Sequence, residues 1–222
     1  MTDYLATRDR VEDYFDRSAT RVWERLTSDA PVSRIRQTVR EGRDRMRATM
    51  LSRLPDDLTG ARVLDAGCGT GQMTAELAAR GAEVTAVDIA PALVAIAQAR
   101  LPGEHAARVR FASGDMLADH HGRFDYVLAM DSMIYYATLD IARALDRLAA
   151  RTDRAVVFTV APRTPFLMTF WGLGQMFPRA DRSPAMVPHA FDRLNRATGN
   201  RLRRVVRISR GFYISECLEF RP

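Results

Sequence analysis

Apolar residues recur near every third or fourth position at the start of the chain. Tyr4, Val11, Phe15, Val22 and Leu26 fall on one face and predict an amphipathic helix over 3–27. Ile35, Val39, Met46, Met50 and Leu54 repeat that period, with Pro31 near a first helical turn, and predict a second inward-facing helix over 31–54. The pattern changes after Pro55. Short apolar runs predict strands at 62–67, 83–87, 109–113, 124–130 and 154–161, alternating with helices at 71–80, 91–101, 138–150 and 188–198. Strands and helices in that alternation build a parallel sheet covered on both faces. Residues 202–220 hold two further strands around Arg210–Gly211, too close for a crossover helix and therefore antiparallel. The expected fold class is α/β: a doubly wound, mostly parallel seven-stranded sheet with an antiparallel C-terminal strand pair and an N-terminal helical arm.

Three segments follow from the pattern. Residues 1–57 form the helical arm, which the family resemblance set out below implies is a cover, and 58–222 the core. Residues 162–187 break the rhythm after the fifth strand; rich in Phe, Trp, Met and Pro, and too long for an ordinary connection, they read as a lid.

Chemistry concentrates where the first strand meets its helix. Asp65-Ala66-Gly67-Cys68-Gly69-Thr70-Gly71 lets the backbone turn tightly and approach a ligand. The dinucleotide fingerprint fails, because Gln72 stands where its third glycine belongs, and no Gly-Lys-Ser/Thr exists for a Walker loop. Asp65 would repel a pyrophosphate and attract an ammonium group. S-adenosylmethionine carries an amino group and a sulfonium and no phosphate, so it is the expected cofactor. Asp88 ends the second strand, where a carboxylate can accept both ribose hydroxyls. Asp115, after the third strand, can accept from an adenine amino group, with Ile89 and Met116 on the ring faces. Met130 closes the same edge at the end of the fourth strand.

Charge and composition narrow the setting. The 222 residues carry a net charge of +6, with arginine as the sole strong cation and no lysine. The excess lies in residues 162–222, at +7, and predicts an acidic partner there. No apolar run approaches the ~18 residues of a membrane span. The polar, acid-bearing start is unlike a secretory leader. Cys68 and Cys217 suit a reducing compartment. A cytoplasmic protein is expected. A module binding nucleic acid through the basic quarter would leave Asp65, Asp88 and Asp115 unexplained, so no nucleic-acid partner is expected.

Residues 60–161 resemble the core of class I S-adenosylmethionine-dependent methyltransferases, whose sheet is Rossmann-like. Tyr14-Phe15 with Arg21 and Trp23, Asp131-Ser132-Met133-Ile134-Tyr135-Tyr136 after the fourth strand, and Phe177-Pro178-Arg179-Ala180-Asp181-Arg182-Ser183-Pro184-Ala185 resemble the magnesium-protoporphyrin IX O-methyltransferases of bacteriochlorophyll synthesis. That family commonly has a histidine where Tyr135 stands. The resemblance implies Mg-protoporphyrin IX as substrate, no protein-bound metal, and a propionate oxygen as nucleophile. It further implies the porphyrin-binding subunit of magnesium chelatase as a partner and at most peripheral association with the photosynthetic membrane. Tyr135 and Tyr14 would face the transfer site as hydrogen-bond donors. Asp131 would hold the methionine amino group or orient a donor. Arg163, Arg179 and Arg182 would clamp a carboxylate, and Phe166, Phe170, Trp171 and Phe177 would receive the macrocycle. His189 is a candidate axial ligand to the substrate magnesium, whereas His105, His120 and His121 read as loop residues. The same cofactor residues would also serve an O-methyltransferase for another small acid or phenol.

Overall fold

The computed structural model describes residues 2–15, 24, 27, 33–169 and 184–222. Helix α1 (Thr2–Tyr14) and helix α2 (Arg34–Leu51) precede the sheet. Apart from Glu24 and Thr27, residues 16–27 of the first predicted helix, Arg21 and Trp23 among them, lie outside the described residues, as does Pro31. Ser33 caps α2 by accepting from the Arg36 N–H. Met46 and Met50 of α2 are fully buried, but Ile35, expected to face inward, is 57% exposed in the first turn, since the buried residues of α2 begin only at Gly42. α2 packs along the C-terminal strand pair and completes one layer of the core.

The core alternates as the pattern predicts: β1 (Arg62–Ala66), α3 (Gln72–Ala79), β2 (Glu83–Asp88), α4 (Pro91–Arg100), β3 (Val109–Ser113), β4 (Phe124–Ala129), α5 (Thr138–Ala149), β5 (Thr152–Val160), α6 (Phe191–Ala197), β6 (Leu202–Arg210) and β7 (Tyr213–Phe220). The seven strands lie in the order β3-β2-β1-β4-β5-β7-β6. β7 runs antiparallel to both neighbours, and the two-residue turn Gly211-Phe212 closes the last hairpin at the pair Arg210–Tyr213. Successive strand residues point to opposite faces. Val63, Leu128 and Val157 therefore join one apolar layer with α2 and α3, while Leu64, Val127 and Phe158 join the other with α5.

Much of the C-terminal positive charge is internally balanced. Arg204 and Arg207 pair with buried Glu216, Arg221 with buried Glu219, Arg210 with Glu41, and Arg201 with Asp146. The described part of the basic quarter is therefore not one open cationic face.

The strand order reverses between β1 and β4, and ligands of such sheets bind beyond the carboxyl ends of the strands at that point. In register, Asp65 lies opposite Ala86 and Leu128, and Asp88 opposite Ser113. The candidate acids are thus set along one sheet edge.

Candidate functional site

A hollow with about 120 Å³ of free space opens at that edge. Asp65, Gly67, Cys68, Gly69, Asp88, Ile89, Asp115, Met116, Met130, Asp131 and Tyr135 all line it. Gly71 lies just outside, as the N-cap of α3, at φ 82°. A Cβ there would come within 2.9 Å of the Ala97 Cβ, so only glycine lets α3 sit this close to α4. Gly67, at φ 84°, is constrained from the other side, since a Cβ would meet the Ser132 Cβ at 2.4 Å. Gly69 differs: a Cβ there would meet nothing within 4 Å. That open space at the floor of the hollow is what a nucleoside laid against bare backbone needs.

Each acid is placed by its own partners. The Asp88 carboxylate accepts from the Gly69 N–H at 2.8 Å and from the Ala90 N–H at 3.0 Å, which fixes its plane. Asp65 is 1% exposed and accepts from Thr74 Oγ1 at 2.6 Å. Burial pushes its carboxyl up to about 7; the Thr74 bond opposes that rise and the nearby charge of Asp88 adds to it. Asp115 accepts from the Leu117 N–H and the Tyr4 hydroxyl, each at 2.8 Å. Burial and the two acids raise the Cys68 thiol well above its ordinary range, so it sits in the loop as an inert small side chain.

The loop after β4 carries the other wall. Asp131 adopts φ 56°, a left-handed conformation that a non-glycine residue holds only when its surroundings fix it. Here they do. Its N–H donates to Thr159 Oγ1, and its carboxylate accepts from Thr159, from the Tyr213 hydroxyl and from Arg43. Arg43 reaches it because Gly42 lets α2 close on Tyr213; a Cβ on Gly42 would stand 2.6 Å from that ring. The Asp131 carboxylate is thus taken up by the fold, and the cation that lines the hollow beside it is Arg43.

Over its whole length the chain is 63% identical to the magnesium-protoporphyrin O-methyltransferase of Rhodobacter capsulatus, covering 99% of that protein. The chain belongs to the magnesium-protoporphyrin O-methyltransferase family. A methyltransferase domain family matches residues 63–153, and the magnesium-protoporphyrin IX methyltransferase C-terminus family matches residues 129–222. The Synechocystis relative is 29% identical over 94% of each chain. A crystal structure of the Synechocystis magnesium protoporphyrin IX methyltransferase with bound SAH superposes with a TM-score of 0.79, at 28% identity, covering 96% of this chain and 98% of that one.

Four of the remaining predicted residues, Tyr135, Tyr14, Arg163 and Phe166, lie among the described residues. Tyr135 is buried against the hollow, with the Phe15 ring edge-on at 6.5 Å. Burial, then the charge of Asp131 and the nearby Tyr14, raise its hydroxyl above the ordinary phenol range. Tyr14 stands behind Phe15, edge-on at 5.2 Å, and does not itself line the hollow. Arg163 borders a separate hollow with Met168 and Arg193, and Phe166 is 45% exposed beside Phe212. Phe170, Trp171, Phe177, Arg179 and Arg182 lie outside the described residues.

Two histidines depart from expectation. His189 is not aimed at a substrate metal. Its Nε2 donates to the Tyr136 carbonyl at 3.1 Å, so its Nδ1 is the acceptor for the Thr138 hydroxyl at 3.2 Å. Burial pushes it down to about 4, leaving it neutral and fully committed to bracing the Tyr135–Tyr136 loop. His121, read as a loop residue, is 5% exposed and holds the Asp115 carbonyl at 3.0 Å. Among the described residues no group of three or more His, Cys, Asp or Glu is placed to hold a metal, and no helix is long and apolar enough to cross a membrane.

Proposed function

We propose that this chain transfers a methyl group from S-adenosylmethionine to a propionate carboxylate of Mg-protoporphyrin IX, giving the monomethyl ester. Three acids on three successive strand ends around one hollow, Asp65, Asp88 and Asp115, carry the cofactor half of this reading. Full-length kinship with the Rhodobacter enzyme supports the acceptor half. When bound, S-adenosylmethionine supplies an electrophilic methyl on a sulfonium.

The residues divide the work. Asp88, its plane set by two backbone donors, takes the ribose hydroxyls. Asp65 meets the amino group and Arg43 the carboxylate of the methionine end. Asp115 accepts from the adenine amino group, between Ile89 and Met116. A propionate with a pKa near ~4.3 is already ionised at neutral pH, so the acceptor needs no base. The protein's task is to align the oxygen with the methyl and to exclude water, and orientation alone can contribute roughly 7–11 kcal/mol. Tyr135, held neutral by burial, is suited to donate a hydrogen bond to that carboxylate and unsuited to remove a proton. Receipt of the porphyrin from the porphyrin-binding subunit of magnesium chelatase, at the margin of a photosynthetic membrane, belongs to the same proposal.

Labelled S-adenosylmethionine with Mg-protoporphyrin IX, against metal-free protoporphyrin, tests the reaction. Label in a porphyrin ester is expected with the magnesium form; no ester from either porphyrin would overturn the proposal. Tyr135→Phe should lower turnover about 10-fold, the loss of one ordinary hydrogen bond. At saturating substrates, turnover of both proteins should stay level from about pH 6.5 to 8.5, because no group in the acceptor step titrates there. A limb near neutrality that the substitution removes would assign proton transfer to Tyr135 instead.

A further inference from the structure

Tyr4 belongs to two walls of the hollow at once. Its hydroxyl donates to Asp115 Oδ1 at 2.8 Å. Its ring lies on that of Tyr136, with centroids 4.9 Å apart and planes inclined by 22°. It is 8% exposed although it stands one turn from the end of an otherwise polar helix. One turn further, Arg8 brings Nη1 to 3.7 Å from Asp115 Oδ2, and one turn beyond that Val11 is buried. The face of α1 is therefore laid on Asp115.

The two oxygens of Asp115 are used unequally. Oδ1 accepts from both the Tyr4 hydroxyl and the Leu117 N–H. Oδ2 has the Arg8 guanidinium only at long range among the described residues. A donor arriving from the hollow at Oδ2 would complete the set and shield the Tyr4 bond from water, where such a bond is stronger. An acceptor at the same point would face a carboxylate lone pair to lone pair. Asp115 would then be drawn off Tyr4, and α1 with it.

We propose that Tyr4 is a specificity-determining residue, which makes closure of α1 over the hollow depend on a hydrogen-bond donor at the purine 6-position of the cofactor. The proposal rests on the reading of Asp115 as the adenine acceptor. Because the same ring lies on Tyr136, next to Tyr135, closure over the adenine also completes the acceptor wall. Tyr4 thus joins recognition of the cofactor to assembly of the transfer site.

The test is a two-by-two comparison. Wild type and Tyr4→Phe are each titrated by calorimetry with S-adenosylhomocysteine and with its 6-oxo analogue, S-inosylhomocysteine. Wild type should prefer the adenine form by about 30-fold and Tyr4→Phe by about threefold, a loss on the scale of one hydrogen bond. Hydrogen exchange should show residues 4–15 protected in wild type by the adenine ligand and not by the 6-oxo ligand. If wild type itself fails to discriminate, the adenine assignment of Asp115 falls. If both proteins discriminate equally, or Tyr4→Phe weakens both ligands alike, the assignment of Asp115 stands and the role of Tyr4 is overturned. Tyr4→Ala, which also removes the ring from Tyr136, should lower turnover and raise the KM for porphyrin more than Tyr4→Phe, which keeps that ring.

Discussion

Asp65→Asn is expected to make the ligand-free protein more stable and to cripple its affinity for cofactor. The carboxyl of Asp65 is buried beside the charge of Asp88, with Thr74 as its hydroxyl donor, and burial pushes it up to about 7. In the unfolded chain an aspartate titrates near ~3.9. Between those values the native protein holds a proton that the unfolded chain has lost. Stability therefore falls as pH rises through that window, and the full cost is present above it. At 1.36 kcal/mol for each unit of displacement, that cost is about 4 kcal/mol above neutrality. Asparagine keeps the shape and still accepts from Thr74, but never ionises. Urea denaturation should show a gain of roughly 2–4 kcal/mol near pH 8 and almost none near pH 4. An equal gain at both pH values would mean that the carboxyl is not the source of the strain.

The same carboxylate is useful once a cation arrives. An ammonium group against Asp65 favours its ionised form, so binding below neutrality must expel a proton. Cofactor affinity should fall about tenfold for each unit as pH drops from about 7 toward 5.5, and calorimetric heats should vary with the buffer's ionisation enthalpy. In the Asp65→Asn protein the slope should vanish and affinity should be about 30- to 100-fold weaker, the scale of a charged hydrogen bond. Turnover at saturating cofactor should not share that slope, because the bound ammonium keeps Asp65 ionised.

What the sequence made legible has a common physical basis. The seven strands and the helices between them were readable because burial on both sheet faces leaves continuous apolar runs, and the glycines mark where the runs turn. The gathering of Asp65, Asp88 and Asp115 around one hollow was readable too, since each stands at or just past the carboxyl end of a recognisable strand. The part that Arg43 plays in the wall was not. Arg43 is one of six arginines in α2 and looks like any residue on a solvated face; the faint sign is Gly42 beside it, a poor helix former kept where the Tyr213 ring presses in. Tyr4 reads as an ordinary member of an apolar stripe, because a hydroxyl that reaches across 111 positions to Asp115 leaves no local pattern. His121 and His189 are similar, each clamping one backbone carbonyl far from any motif. The left-handed turn at Asp131 is imposed by Thr159, Tyr213 and Arg43 together, none of them near it in sequence.

Those three partners also decide what a change at Arg43 does. Arg43→Met keeps much of the stem and removes the charge. Two losses then act in the same direction. The cofactor carboxylate loses a guanidinium, a donor whose fork can grip both oxygens. The Asp131 carboxylate, still held by Tyr213 and Thr159, loses its counter-charge and faces the cofactor carboxylate as a like charge. Together these should raise the dissociation constant for S-adenosylmethionine about 100-fold. Asp131→Asn added to Arg43→Met should recover part of that loss by removing the repulsion. A ligand without the carboxylate separates this account from a general collapse of the loop. The decarboxylated analogue of S-adenosylhomocysteine should bind wild type and Arg43→Met within about threefold of each other, because neither term applies to it. If Arg43→Met weakens that analogue as much as S-adenosylhomocysteine itself, Arg43 serves only to hold Asp131 in its left-handed turn, and the grip on the cofactor's carboxylate must be sought elsewhere, first at Arg47, which lines the same hollow one turn along α2.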